Sequence, residues 1–241
     1  MKTIKEFLIN KRIKNKIDSR QIRYTPNTYD ELFDAVTELL YNDEYDLNCI
    51  DTSNITDMHD LFCEPNLINI SYKVVDNANN IDVSNWDVSN VKNMHSMFYK
   101  WRYDKVEGIE NWDVSNVENM SGMFSKSTMF NQDLNNWDVS NVKNMNAMFA
   151  GCINLNQNFD NWNTENVTGA RYMFENCAEF EGNGLDKWNM KSLKNALSMF
   201  DCCEKLNVDL SSWPSMDYYL HTDMFYRCDL MNAKLYPSSN K

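Results

Sequence analysis

The stretch Asn-Asn-Trp-Asp-Val-Ser-Asn-Val-Lys-Asn-Met-Asn-Ala-Met-Phe, residues 135–149, returns along most of the chain and decides how it is built. Trp86, Trp112, Trp137, Trp162, Trp188 and Trp213 follow one another at intervals of 26, 25, 25, 26 and 25 residues. Each has a Phe twelve residues later: Phe98, Phe124, Phe149, Phe174, Phe200 and Phe225. A degenerate copy upstream puts Ile50 in the Trp place and Phe62 in the Phe place. A fixed period of this length marks units that cannot bury their apolar faces alone and must stack.

Within the unit, Leu134, Trp137, Val139 and Val142 follow L-x-x-W-x-V-x-x-V, close to the frame in which a short strand lines one face of a leucine-rich-repeat coil. Ser140 or Asn141 is suited to cap a helix, and Val142, Met145, Met148 and Phe149 then fall on one helical face. The expected fold is therefore an α/β repeat solenoid. It is a leucine-rich-repeat-like curved coil with short parallel strands on the inner face, short helices on the outer face and a helical N-terminal cap. Residues 1–46 form the arm and cap in this reading, and residues 47–241 hold about seven 25-residue repeats.

Upstream of the repeats, Ile4, Phe7, Leu8, Ile13 and Ile17 sit near helical spacing, which predicts a helix from Thr3 to about Ile17. Pro26 breaks it. Thr28 followed by Glu31 makes a capping-box start for a second helix, Tyr29 to Tyr41, with Leu32, Phe33, Val36, Leu39 and Leu40 on one face as a lid for the stack. Between Phe62 and Val83 the chain runs about ten residues longer than in the other repeats, so residues 65–77 are expected to bulge out as a loop. Pro214 follows Trp213, and Leu235-Tyr236 starts an eighth repeat that Pro237 stops. With no lid legible there, the last repeat is expected to be sealed by a partner or a second copy.

Net charge is −12, and residues 1–24 carry +6 of it, which leaves −18 on the remainder. An acidic body is not expected to bind nucleic acid. The basic arm could reach anionic lipid, nucleic acid or the chain's own acidic surface. No apolar run is long enough to cross a bilayer, and Phe7-Leu8-Ile9 is too short for a signal peptide core, so the expected location is cytoplasmic or in a virion, or the cell surface only if a leader has been removed.

The repeat resembles that of the BspA-like leucine-rich-repeat surface proteins, whose unit reads W-D-V-S-N-V-x-x-M-x-x-M-F. Trp86-Asp87-Val88-Ser89-Asn90-Val91 with Met94, Met97 and Phe98 matches it throughout, as do the copies at Trp112 and Trp137. The copies at Trp162, Trp188 and Trp213 keep the Trp and the Met-Phe pair but lose the Asp. The resemblance implies adhesion to proteins or host cells, or a place in a virus or phage. It implies no catalytic residue, because the motif is a packing motif.

Cys152, Cys177, Cys203 and Cys228 each stand three residues after their Phe and are read as a buried packing column. His59 and His95 share a register, but no third ligand is specified, so no metal and no cofactor is expected. The position after the Trp holds Asp51, Asp87, Asp113 and Asp138, then Asn163, Asn189 and Pro214. Stacked carboxylates repel. Either each accepts from donors in its own turn, such as Ser89 and Asn90, or the column binds a cation or a basic partner. Asn85, Asn111 and Asn136 flank it on one side and Ser89, Ser115 and Ser140 on the other, a polar strip better suited to an extended surface than to a small molecule.

Three functional readings follow. The first is a non-enzymatic protein-binding or adhesive repeat protein using its concave strand face, with a partner of unspecified identity. The second is a structural component of a phage or virus particle, self-associating through the N-terminal arm or the C-terminal end. The third is an acidic decoy for a nucleic-acid-binding protein.

Overall fold

The computed structural model describes residues 21–213 and 223–229. The helix expected from Thr3 to Ile17, Pro214 and the start of an eighth repeat at Leu235-Tyr236 lie outside them. Among the described residues there are three α-helices, α1 (Tyr29–Tyr41), α2 (Glu64–Ile70) and α3 (Tyr72–Asn77), and no β-strand. None is long and apolar enough to cross a membrane.

The repeats stack, but through turns and single bridges. Isolated parallel bridges join Asp57 to Asn93, Asn93 to Asn119, Asn119 to Asn144, Asn144 to Gly169 and Gly169 to Asn195. This corrects the expected coil of inner strands and outer helices: among the described residues the repeats from Trp86 onward contain no strand and no α-helix, only single 3-10 turns at Ile109–Asn111 and Leu185–Lys187. Residues 94–101 show why. The N–H groups of Met94, Ser96, Phe98 and Lys100 donate to the carbonyls of Asn119, Ser121, Met123 and Ser125 in the next repeat, at 2.9, 2.9, 2.9 and 2.8 Å. The intervening N–H groups of Met97, Tyr99 and Trp101 close turns onto Met94, Ser96 and Phe98. Alternate amides thus serve the neighbouring repeat, and the bonds from each residue to the fourth before it that would build a helix do not form. Ser96 (φ 51°) and Lys100 (φ 60°) are left-handed, which stops an extended run after two residues. The same pair of registers is left-handed at Gly122 and Lys126, Ala147 and Gly151, Tyr172 and Asn176, and Ser198 and Cys202.

The core is a set of side-chain columns running through this stack. Trp86, Trp112, Trp137, Trp162, Trp188 and Trp213 are all buried. Each indole Nε1–H donates to a carbonyl of the preceding repeat, that of Leu47, Val83, Ile109, Leu134, Phe159 and Leu185 in turn, at 2.8–3.3 Å. A buried indole needs such an acceptor, and here it also sets the register between repeats. The Phe rings form a second column, with Phe98 and Phe124 at 5.5 Å, Phe124 and Phe149 at 5.8 Å, and Phe174 and Phe200 at 5.6 Å between centroids.

One end of the stack is covered by helices. Thr28 Oγ1 accepts from Glu31 N at 3.2 Å and starts α1, while Glu31 Oε2 accepts from the N–H of Asn27, at 2.7 Å. Leu32, Val36, Leu39 and Leu40 are buried beneath it, and Phe33 is half-buried. The insert at 65–77, expected as a loop, is helical instead. Pro65 stands in the first turn of α2, where its missing N–H costs nothing, and Leu67, Val74 and Val75 turn inward. Those apolar side chains are what brings the insert onto the body rather than away from it.

Candidate binding edge

The residue after each Trp lies at a turn, and its side chain shapes that turn. Oδ1 of Asp51, Asp87, Asp113 and Asp138 accepts from the N–H two residues later, of Ser53, Ser89, Ser115 and Ser140, at 3.0, 3.0, 3.1 and 3.0 Å. A short carboxylate arm accepting from the backbone two residues on is a local turn device. Asn163 and Asn189 make the same bond to Glu165 and Lys191, at 3.2 and 3.3 Å. The Ser89 hydroxyl adds a second donor to Asp87 Oδ1 at 2.6 Å. A hydrogen bond from Ser53 holds the half-buried Asp51 carboxyl below its ordinary pKa. Asp87, Asp113 and Asp138 are exposed.

Successive turns are tied together by the polar residues around them. Thr52 Oγ1 donates to the Asp87 carbonyl at 2.8 Å. The carbonyls of Ser89, Ser115 and Ser140 accept from the Asn116, Asn141 and Asn166 side chains of the following repeats, at 2.7, 2.7 and 2.8 Å. On the other flank, the Asn85 N–H donates to Asn48 Oδ1 at 2.7 Å, the Asn111 amide reaches Glu110 at 3.3 Å, and Asn136 is exposed. The Trp86 and Trp112 rings lie 6.5 Å apart and parallel to within 2°, so Asp87 and Asp113 follow each other in one register. Of these Asn side chains the sequence pointed to Asn141 only as a helix cap, and Asn90, expected to donate to Asp87, instead donates to the Ser53 carbonyl at 2.8 Å in the same stitching role. Their recurrence four residues after the Trp was the available signal.

Four other acidic side chains are paired with lysines across the repeat junctions. Lys143 pairs with Glu118 at 2.6 Å, Lys187 with Asp160 at 2.6 Å, Lys191 with Glu165 at 2.8 Å and Lys205 with Glu179 at 2.5 Å. Lys187, together with Asn135, holds the Asp160 carboxyl down to about 2. Among the described residues, no Lys or Arg pairs with Asp87, Asp113 or Asp138.

His59 and His95 do not converge on a shared site. His59 stacks on Tyr29 with centroids 4.2 Å apart and bonds Asp57 at 3.0 Å, whereas His95 Nδ1 contacts Ser121. Cys152, Cys177, Cys203 and Cys228 form the expected buried column, and their thiols donate to the Phe124, Phe149, Phe174 and Phe200 carbonyls at 3.1, 3.1, 2.9 and 2.8 Å. Among the described residues no group of three or more His, Cys, Asp or Glu is arranged to hold a metal ion. The open hollow beside α1 is lined by Tyr24, Thr25, Pro26, Asn27, Glu31 and Ala35, none of them on the Asp edge.

No curated protein and no solved structure matches the chain. One family matches residues 67–184 and, in a second overlapping span, 156–238, which together take in the repeats from the insert onward. The chain belongs to that family, described as "Mycoplasma protein of unknown function, DUF285".

Proposed function

We propose that the chain is a non-enzymatic protein-binding module, which engages a basic partner along the turn edge carrying Asp87, Asp113 and Asp138. The observation behind this reading is a surplus of charge over what the turns require. Asn163 and Asn189 cap their turns with a neutral oxygen, so a carboxylate is not needed for the fold. The repeats at Trp86, Trp112 and Trp137 nevertheless carry one, exposed and without a cation among the described residues, while Glu118, Asp160, Glu165 and Glu179 have lysine partners from a neighbouring repeat. Like charges in one register cost stability and raise the local attraction for a cationic surface. The binding surface in this reading is a row of turns, not a strand face. The repeat's resemblance to BspA-like surface proteins agrees with an adhesive role.

The test is a titration of the full chain with short peptides that differ only in Lys and Arg content, read by fluorescence anisotropy at several salt concentrations. Affinity is expected to rise with the number of cations and to fall steeply with salt. Equal affinity for neutral and cationic peptides, or none for either, would overturn the proposal.

A further inference from the structure

Asn183-Gly184 is the single Asn-Gly step in the sequence, and its surroundings differ from those of the repeat asparagines. Four residues after Trp86, Trp112, Trp137 and Trp162 stands an Asn followed by Val, and each of those Val N–H groups is engaged: Val91 donates to Val88, Val117 to Val114, Val142 to Val139 and Val167 to Thr164, at 2.9–3.0 Å. A peptide nitrogen held in this way, beside a branched side chain, is a poor nucleophile toward the preceding amide. At Gly184 both protections are missing. Its N–H has no acceptor and the Asn183 side chain no hydrogen bond among the described residues, Gly184 has no side chain, and Asn183 is exposed.

The glycine cannot be exchanged to relieve this. Gly184 has φ +89°, and a Cβ there would come within 2.4 Å of Asp160 N. The close approach of two repeats therefore fixes an Asn-Gly step on the surface.

We infer that Asn183 is a site of spontaneous covalent modification that turns it into aspartate and isoaspartate. The Gly184 nitrogen, on losing its proton, attacks Asn183 Cγ. A C–N bond forms, the bond to the side-chain nitrogen breaks, and ammonia leaves with the proton. Water then opens the cyclic imide at either carbonyl. One opening gives an aspartate in the normal chain. The other routes the backbone through the side-chain carbon and leaves the former main-chain carbonyl as a free carboxylate.

Either product adds a negative charge close to Asp160 and Asp186. The isoaspartate also costs a junction. The Asn183 carbonyl accepts from the Phe159 N–H at 3.1 Å, and a backbone lengthened by one methylene cannot keep that bond and the Gly184 turn in register. The site would act as a timer that loosens the contact between the repeats of Trp162 and Trp188.

The test follows the folded full chain during incubation at pH 5 and pH 8, beside the Asn183→Gln variant and the same chain in urea. Peptide mass spectrometry and isoaspartyl methyltransferase labelling report the products. The peptide holding residue 183 is expected to exchange its side-chain amide for a carboxyl many-fold faster than peptides holding Asn90-Val91 or Asn141-Val142. Conversion should be faster at pH 8 and absent in the variant. Conversion only in urea, at the rate of the Asn-Val peptides, or unchanged in Asn183→Gln would overturn the inference.

Discussion

The thiol of Cys152 donates to the carbonyl of Phe124 at 3.1 Å, and one repeat earlier the hydroxyl of Ser127 donates to Phe98 at 3.0 Å in the same register. The column thus requires a small donor, and sulfur and oxygen both serve. Cys152→Ser keeps a donor and is expected to change stability by no more than about 0.5 kcal/mol, whereas Cys152→Val, similar in shape but without a donor, loses about 0.5–1.5 kcal/mol, because the Phe124 carbonyl then keeps only the Ser127 N–H, at 3.0 Å, of its two donors. Urea unfolding of the two variants beside the wild type decides it; equal losses would refute the donor role.

Burial drives the thiols of Cys152, Cys177 and Cys203 well up from their ordinary range, and that of Cys228 to about 12. The unfolded chain ionises its thiols near pH 9 while the folded one keeps its protons, so stability is complete below that and falls as pH rises. Each thiol then removes up to about 1.4 kcal/mol per pH unit. Denaturant midpoints between pH 8 and pH 10.5 should show this slope, shallower in Cys152→Ser. A flat profile would mean that the thiols are not buried in a common column.

Ala147 is left-handed at φ 54°, in the register that Gly122 fills one repeat earlier. A Cβ in that conformation is strained by about 1–2 kcal/mol, and glycine's extra freedom in the unfolded chain returns part of this. Ala147→Gly should therefore stabilise the protein by about 0.5–1 kcal/mol, measured by thermal or urea unfolding. A clear loss would show that the backbone there is not left-handed.

At the acid end, hydrogen bonds from Lys187 depress Asp160 to about 2, those from Lys143 depress Glu118, and those from Ser211 depress Asp209. Carboxylates held down in the fold contribute stability above their unfolded pKa of about 4 and lose it as pH falls through the folded value. Tryptophan fluorescence should report a stability that holds down to about pH 4 and declines from there toward about pH 2. Glu175, pushed up by burial, works in the opposite sense. Decline beginning well above pH 5 would point to other groups.

The period of Trp and Phe, the stacking it demands, the cysteine column and the start of α1 were all legible in the residues. The local structure of the repeats was not. Val142, Met145 and Met148, at three-residue steps, and Phe149 beside them turn inward whether the chain is a helix or a run of turns, so apolar spacing alone does not separate the two. What does separate them is the left-handed conformation of Ser96, Gly122, Ala147, Tyr172 and Ser198, a register in which one glycine among five residues gives too little signal. Of the candidate edge, the Asp register was legible, and so was its alternative role as a turn cap. The absence of cation partners for Asp87, Asp113 and Asp138 among the described residues depends on where lysines from other repeats land, which no local pattern reveals.

The central claim is that these three carboxylates bind a partner and are surplus to the fold. Asp87→Asn, Asp113→Asn and Asp138→Asn combined in one chain test it most directly, because each Asn keeps the turn-capping oxygen, as Asn163 does natively. Peptide-binding titrations and urea unfolding of this variant are to be run beside the wild type. The account predicts unchanged or slightly raised stability with at least tenfold weaker binding to the cationic peptide, a loss of about 1.4 kcal/mol or more. Lower stability with unchanged binding would contradict it and leave the carboxylates as turn caps alone.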